Sequence, residues 1–143
     1  MTVKTILSRK GREVVTIAPT ANLSEAVKLL AERRIGAVVV TGADNHVAGI
    51  LSERDIVRAL GERGAAALGD NIAAVMTRKV TTCTETDTIA DIMERMTTGK
   101  FRHVPVVEQG RLSGVISIGD VVKFRVEEIV RESDALREYI ATA

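Results

Sequence analysis

Two stretches of the chain carry apolar residues at the three- and four-residue spacing of a helix that buries one face. Each stretch follows a helix-start signature, Asn22-x-x-Glu25 in the first and Thr88-x-x-Asp91 in the second. The pattern therefore predicts two amphipathic helices. Their apolar stripes are Leu23, Ala26, Val27 and Leu30 in the first, and Ile89, Ile92, Met93 and Met96 in the second.

Short runs of β-forming residues surround each predicted helix. One run precedes the helix, at 14–17 and at 80–83, and two more follow it as a hairpin. The second strand of each hairpin leads directly into another helix, so the pattern predicts a β-α-β-β-α unit and an α+β fold. The hairpin strands are predicted at 37–40 with 47–51, and at 104–107 with 112–116.

This unit occurs twice in the chain. A shift of 66 residues places 15–40 over 81–106, and a shift of 65 places GILSERDIV over GVISIGDVV. The lead-in segments VKTILSRK and IAAVMTRK also match in character, and a segment rich in small residues at 61–71 joins the copies. We therefore predict two tandem repeats related by a pseudo-twofold axis, residues 1–68 and 69–143, each with its lead-in.

The chain is predicted to close with one long amphipathic helix over 119–140. This helix is longer than the repeat needs, and the helices of each unit are apolar on one face only. Both features favour a homodimer, or a larger even assembly built from dimers.

Composition and charge narrow the classes of function. The chain has 143 residues, a formal net charge of +1 and three aromatic residues, so neither a nucleic acid nor a membrane is an expected partner. The single cysteine, Cys83, and two distant histidines predict no metal site and a reducing compartment. Without an apolar run long enough for a signal or a membrane span, we expect a cytoplasmic protein.

The junction Gly-hydrophobic-x-Ser-x-x-Asp closes both copies. A serine at a helix N-terminus, Ser52 or Ser117, places a hydroxyl beside free backbone N–H groups, which together favour a phosphate. The aspartate one turn later, Asp55 or Asp120, offers acceptors for two sugar hydroxyls. The same spacing is also a capping box that needs no ligand. Its occurrence in both copies favours nucleotide contact in at least one of them.

Two tandem copies ending in this motif resemble the paired cystathionine β-synthase (CBS) domain, or Bateman module, over nearly the whole chain. The resemblance implies two clefts between the repeats that bind adenosine-containing ligands, with AMP the first choice and ATP, ADP or NAD(H) as alternatives. It implies dimers of modules as well. The nucleotide-binding residues it indicates are Ser8, Thr16, Gly36, Ser52, Arg54, Asp55, Thr77, Thr82, Arg102, His103, Pro105, Ser117 and Asp120.

The two clefts are expected to be unequal. Arg102 and His103 stand before the hairpin of the second copy, where the first copy has the neutral Gly36 and Ala37. We therefore expect the cleft built around Asp120 to bind phosphate-bearing ligands more tightly than the one built around Asp55. In the alternative arrangement, Arg102 reaches across to the Asp55 cleft.

The sequence favours a regulatory module without catalytic activity, which reports adenine nucleotide levels to an unknown partner protein. It has no P-loop, no paired histidine and acid, and no cluster of metal ligands. The second hypothesis is a dimerisation scaffold whose clefts stay empty. An enzyme acting on nucleotides comes third.

Overall fold

The computed structural model describes residues 1–142 and contains both predicted repeats. The helices are α1 Val3–Lys10, α2 Leu23–Arg33, α3 Glu53–Arg63, α4 Ile72–Val75, α5 Ile89–Gly99 and α6 Ile118–Thr142. The strands are β1 Thr16–Ile17, β2 Ala37–Thr41, β3 Val47–Ser52, β4 His103–Glu108 and β5 Arg111–Ser117. This mixed architecture confirms the α+β fold and the long C-terminal helix.

The strands form one small sheet in each repeat. In the first repeat β1 pairs parallel with β2, and β2 pairs antiparallel with β3. In the second repeat β4 and β5 form the predicted hairpin. The prediction of a strand at 80–83 is wrong. Only Cys83 pairs in this run, in a single parallel bridge to Val106. Of the strand predicted at 14–17, only the two residues of β1 form a strand.

The two helix-start signatures work as N-caps. The side chain of Asn22 accepts a hydrogen bond from the Glu25 N–H at 2.9 Å, and Thr88 accepts one from Asp91 at 3.1 Å. These bonds satisfy backbone donors that have no partner inside the helix. The predicted stripe of α2 is covered within the chain, with Leu23, Ala26 and Leu30 buried. It therefore gives no reason for a second copy to bind at this face.

The segment at 61–71 is more structured than its small residues suggest. Helix α3 continues to Arg63, and a 3-10 helix follows over Gly64–Gly69. Ala67 of this segment is fully buried in the core of the first repeat. The connection between the repeats is therefore packed against the fold.

Each repeat is completed by the lead-in of the other repeat. Val3, Ile6 and Leu7 of α1 lie in the core formed by α5, β4 and β5 of the second repeat. Conversely, Ile72 and Met76 lie in the core of the first repeat. The lead-in helices are thus exchanged between two hydrophobic cores.

Glycines in β3 and β5 make this exchange possible. A Cβ at Gly49 would come within 2.7 Å of the backbone oxygen of Thr77, and a Cβ at Gly114 within 2.7 Å of the Leu7 side chain. The repeated glycine of the motif thus lets each lead-in lie directly against a strand of the other repeat.

Helix α6 packs on the body only in its first half. Val121 and Phe124 are buried against the second repeat, whereas every side chain from Ile129 to Thr142 is exposed. Among the described residues, no helix combines the length and the apolar character needed to cross a membrane.

Candidate functional site

Both Ser-x-x-Asp motifs form capping boxes at the junction of a strand and a helix. At the start of α3, the Ser52 N–H donates to Asp55 Oδ2 at 3.0 Å, and the Asp55 N–H donates to Ser52 Oγ at 3.3 Å. The start of α6 repeats this pair of bonds between Ser117 and Asp120, at 3.0 and 3.2 Å. The capping role is therefore present at both junctions, and each serine hydroxyl lies at a helix N-terminus.

Asp55 is bonded by a residue of the other repeat. Its side chain is 5% exposed, and Thr77 Oγ1 donates to its Oδ1 at 3.1 Å. Thr77 is held in place because its backbone exchanges two hydrogen bonds with Ile50 on β3, at 2.9 and 3.0 Å. The guanidinium of Arg58 lies 3.7 Å from the same carboxylate oxygen.

Asp120 has a cation in the place where Asp55 has a hydroxyl. Lys10 Nζ, at the end of α1, donates to Asp120 Oδ2 at 2.7 Å and to the Val115 carbonyl at 2.9 Å. Burial acts to raise the pKa of Asp120, but the hydrogen bonds from Lys10 and Ser117 outweigh it and hold that pKa below its ordinary value. Asp120 is therefore a firmly ionised acceptor.

One cleft of about 420 Å³ opens in front of Asp55, and we call it the Asp55 cleft. It is strongly basic, because four of its lining residues are arginine or lysine and only two are acids. The four cations are Arg54, Arg58, Lys100 and Arg102, and the two acids are Glu53 and Asp55. The remaining lining residues are Gly36, Ile50, Ser52, Thr77, Phe101, His103 and Ile118.

A second cleft of about 370 Å³ lies beside Ser117 and Lys10, the two partners of Asp120, and we call it the Asp120 cleft. Its wall is mostly aliphatic and combines the lead-in of the first repeat with both hairpins. Its only lysine or arginine is Lys10, which already pairs with Asp120, and Glu13 is its only acid. The aliphatic members are Val14, Val15, Ile35, Ala37, Val39, Ile50 and Val115.

Gly36 and His103 line both clefts. Burial, followed by the positive charge of Lys10, lowers the pKa of His103 below its ordinary value. The ring is therefore neutral at neutral pH. A neutral ring offers a phosphate one donor and one acceptor but no positive charge, and the expectation that His103 contributes to a phosphate site stays a prediction.

Arg102 belongs to the Asp55 cleft and is absent from the lining of the Asp120 cleft. The premise that it strengthens the Asp120 cleft is therefore wrong, and the crossed arrangement considered from the sequence is the observed one. The reason is the pairing of β4 with β5. In this pairing His103 lies opposite Ser117, and the Arg102 carbonyl accepts a hydrogen bond from the Ile118 N–H. The side chain of Arg102 therefore lies on the side of α3.

Most of the sequence-predicted site residues line the two clefts, but five line neither of them. One of the five is Asp120, which is bonded to Ser117 and Lys10 of the second cleft. The other four are Ser8, Thr16, Thr82 and Pro105. Ser8 donates its hydroxyl to the Lys4 carbonyl one helical turn earlier, and Pro105 is buried in β4. Thr16 is exposed on β1, and Thr82 is exposed next to Cys83, which forms only a single bridge. Their assignment to a nucleotide site rests on the family resemblance alone.

Sequence reasoning missed several cleft residues. Lys10 is the most consequential, and no local pattern could reveal it because its partner Asp120 lies 110 positions away. Lys100 could have been found from the basic cluster Lys100-Phe101-Arg102-His103. Arg58 could have been found because it lies three residues after Asp55 on the same face of α3.

Comparison with known proteins identifies the fold. The model of the CBS domain family matches residues 3–62 and 72–127, one match in each repeat. Among curated relatives, an uncharacterised 17.7 kDa protein of Acidianus ambivalens is 33% identical over 78% of this chain. The mitochondrial CBS domain-containing protein CBSX3 of Arabidopsis thaliana is 34% identical over 81% of this chain. This chain spans 66% and 58% of the length of these two relatives.

Solved structures give the same result. A CBS-domain containing protein from Agrobacterium tumefaciens is 52% identical and superposes with a TM-score of 0.84, over 87% of this chain and 99% of that one. A CBS domain protein from Pyrobaculum aerophilum, solved in complex with AMP, is 32% identical with a TM-score of 0.75, over 84% and 89% of the two chains. Both repeats are therefore matched in sequence and in structure, and the chain belongs to the CBS domain family as a tandem pair.

Proposed function

We propose that this chain is a regulatory module that binds adenosine-containing nucleotides in the clefts between its CBS repeats, with AMP as the first ligand to test. One observation carries the proposal. Each cleft places a capping serine at a helix N-terminus beside a residue of the exchanged lead-in, Ser52 with Thr77 in the Asp55 cleft and Ser117 with Lys10 in the Asp120 cleft. Asp55 lines the first cleft directly, whereas Asp120 is bonded to both of the residues named for the second. The AMP complex of the related protein from Pyrobaculum aerophilum supports the same ligand class.

The Asp55 cleft offers acceptors for a ribose. A carboxylate has about four acceptor positions. On Asp55, the backbone and the hydroxyl of Ser52 use Oδ2, and Thr77 uses one position of Oδ1. One sugar hydroxyl can therefore bond to Oδ1 directly, while a second would displace the hydroxyl of Ser52 or Thr77. Both residues line the cleft, where their hydroxyls can bond to the ligand instead.

The phosphate of the ligand is best matched by the same cleft. Its four cations outnumber its two acids, and the N-terminus of α3 adds a positive dipole end. In the Asp120 cleft, Lys10 is engaged by Asp120 and a carbonyl. We therefore expect the Asp55 cleft to bind phosphate-bearing ligands more tightly, which reverses the order expected from the sequence.

The proposal includes no catalytic step. The hydroxyls of Ser52 and Ser117 accept the capping hydrogen bonds from the Asp55 and Asp120 N–H groups, so both serines already serve as helix caps. Burial, together with the charge of Asp87, raises the pKa of Cys83 to about 12, which makes a poor nucleophile. A regulated partner protein would read the state of the clefts.

Calorimetry with AMP, ADP, ATP and NAD(H) tests which ligand binds. The protein is first unfolded, freed of any bound ligand and refolded. We expect Arg102→Gln to weaken AMP binding by about tenfold or more, since a charge-assisted hydrogen bond is worth about 1.5–3 kcal/mol. Lys123→Gln, a neutralisation on the outer face of α6, serves as the control and should leave affinity unchanged.

Three outcomes contradict parts of the proposal. If none of the four nucleotides binds or raises the melting temperature, the ligand-free scaffold is the better description. If Asp120→Ala abolishes the tight AMP phase while Asp55→Ala leaves it intact, the preference between the clefts is the reverse of that proposed. Turnover of a bound nucleotide would instead indicate an enzyme.

A further inference from the structure

Two arginines of the Asp55 cleft correspond to glycines in the other half of the repeat. The shift of 65 residues places Arg54 over Gly119, and the shift of 66 places Gly36 over Arg102. Both arginines line the Asp55 cleft, whereas Gly36 lines the Asp120 cleft. A Cβ at Gly119 would lie 3.7 Å from the hydroxyl of Ser117, which lines the Asp120 cleft as well. The Asp120 cleft therefore lacks both guanidinium groups.

The cation that the Asp120 cleft does contain is already engaged. Lys10 Nζ donates to Asp120 Oδ2 at 2.7 Å and to the Val115 carbonyl at 2.9 Å. If Lys10 turned to a phosphate, it would leave a carboxylate that is only 22% exposed without the cation that holds its pKa low. Since Asp120 balances the charge of Lys10, the carboxylate of Glu13 gives this cleft a net negative charge, which repels a phosphate.

The helix N-termini do not offset this difference, because their backbone donors are used in the same way. The Ile118 N–H at the start of α6 donates to the Arg102 carbonyl at 2.8 Å, and the Glu53 N–H at the start of α3 donates to the Gly36 carbonyl at 3.0 Å. The capping box takes another N–H in each helix. The two helix dipoles therefore favour an anion about equally, and the side chains decide between the clefts.

The lining of the Asp120 cleft suits an uncharged ligand. Its volume of about 370 Å³ lies within the range of small-molecule sites, and its wall is mostly aliphatic. The hydroxyl of Ser117 and the neutral ring of His103 line the same cleft. They offer hydrogen bonds to a sugar or a base without adding charge.

We propose that the Asp120 cleft binds an uncharged adenine nucleoside while the Asp55 cleft binds the phosphate-bearing nucleotide. The adenosine class of the ligand rests on the proposed function, and the charges of the two clefts decide where a phosphate is accepted. Lys10, Gly36 and Gly119 are then the residues that determine specificity in the Asp120 cleft. The module holds two different ligands at once and responds to the concentration of each.

Equilibrium dialysis with two differently labelled ligands tests this assignment. Chain freed of bound ligand is dialysed against AMP and adenosine together, both at saturating and equal concentrations. We expect one AMP and one adenosine per chain. Two AMP molecules without adenosine, or competition of the two ligands for one site, would overturn the assignment and leave the proposed function standing. Binding of neither ligand would overturn both.

Gly119→Arg tests the origin of the specificity. It places a guanidinium at the position that corresponds to Arg54, and its Cβ has room at an ordinary contact distance. The preference of this cleft for AMP over adenosine should rise about tenfold or more, so that a second AMP replaces the adenosine. Gly119→Lys brings the same charge on a slimmer side chain and should act in the same direction.

Two variants serve as controls for this change. Gly119→Gln adds a polar side chain at the same position without charge, and Gly61→Arg adds the charge on α3, outside the lining of both clefts. Both should still bind one AMP and one adenosine per chain. A folded Gly119→Arg or Gly119→Lys variant that keeps the adenosine, or a Gly119→Gln variant that loses it to AMP, would refute the role of charge in this cleft.

Discussion

Asp55 and Asp120 occupy equivalent positions in the two repeats and have the same serine partner, but their remaining neighbours differ. Thr77 donates a hydroxyl hydrogen to Asp55, whereas Lys10 brings a full positive charge to Asp120 at 2.7 Å. A neutral donor leaves the carboxylate open to exchange partners with a ligand, while a charged one holds it. This difference, together with the basic lining of one cleft and the aliphatic lining of the other, makes the two clefts chemically distinct despite the repeat.

The contribution of Asp120 to stability should depend on pH. Its pKa is depressed in the folded chain, so the stabilisation is fully present above the unfolded value of about 4 and is lost as the pH falls through the folded value. Asp120→Asn should therefore cost about 1–2 kcal/mol at pH 7 and progressively less below pH 4. Urea unfolding between pH 3 and pH 7 measures this cost, with the exposed Asp134→Asn as the control. A cost that does not change with pH would exclude the ion pair as its origin.

Residue identities alone predict part of the site. Ser52, Asp55, Ser117 and Asp120 can be found from the sequence because their motif recurs in register and its local geometry is set by helix capping. The neutral state of His103 cannot be predicted in this way, because it follows from burial and from a charge brought in by α1.

At the scale of elements, the glycine of β3 is needed for the close approach of the second lead-in. A Cβ at Gly49 would meet the backbone oxygen of Thr77 at 2.7 Å, and backbone cannot move aside as a side chain can. Gly49→Ala should therefore lower the free energy of unfolding by about 1–3 kcal/mol. Gly61→Ala on α3, where the added methyl meets nothing within 4 Å, should raise it by up to about 1 kcal/mol. Thermal and urea unfolding of both variants tests this, and equal effects would contradict it.

Helices were more predictable than the first strand of each repeat. Helices α2, α5 and α6 follow from periodicity and caps, which are properties of the local sequence. The runs at 14–17 and 80–83 have the composition of strands, but pairing depends on contact with a distant partner. Only Thr16–Ile17 forms a ladder, and Cys83 forms a single bridge.

At the scale of the molecule, the exchanged lead-ins determine which residues share a cleft. Lys10 of the first lead-in reaches Asp120, and Thr77 of the second reaches Asp55. The repeat shows that two lead-ins exist, but it does not show which core each one enters, because the contacts span most of the chain. For this reason the sequence predicted the motif and left the partners of each cleft open.

The exchange also predicts that the two repeats unfold together. Leu7 belongs to the first repeat in sequence but is 1% exposed in the core of the second. Leu7→Ala should therefore cost about 2–5 kcal/mol, while Leu60→Ala, partly exposed on α3, should cost far less. Because each core is closed by a segment of the other repeat, hydrogen exchange in Leu7→Ala should speed up in β2 of the first repeat as well as in β4 of the second. Faster exchange confined to β4 would mean that the cores open independently, and that a ligand in one cleft need not stabilise the other repeat.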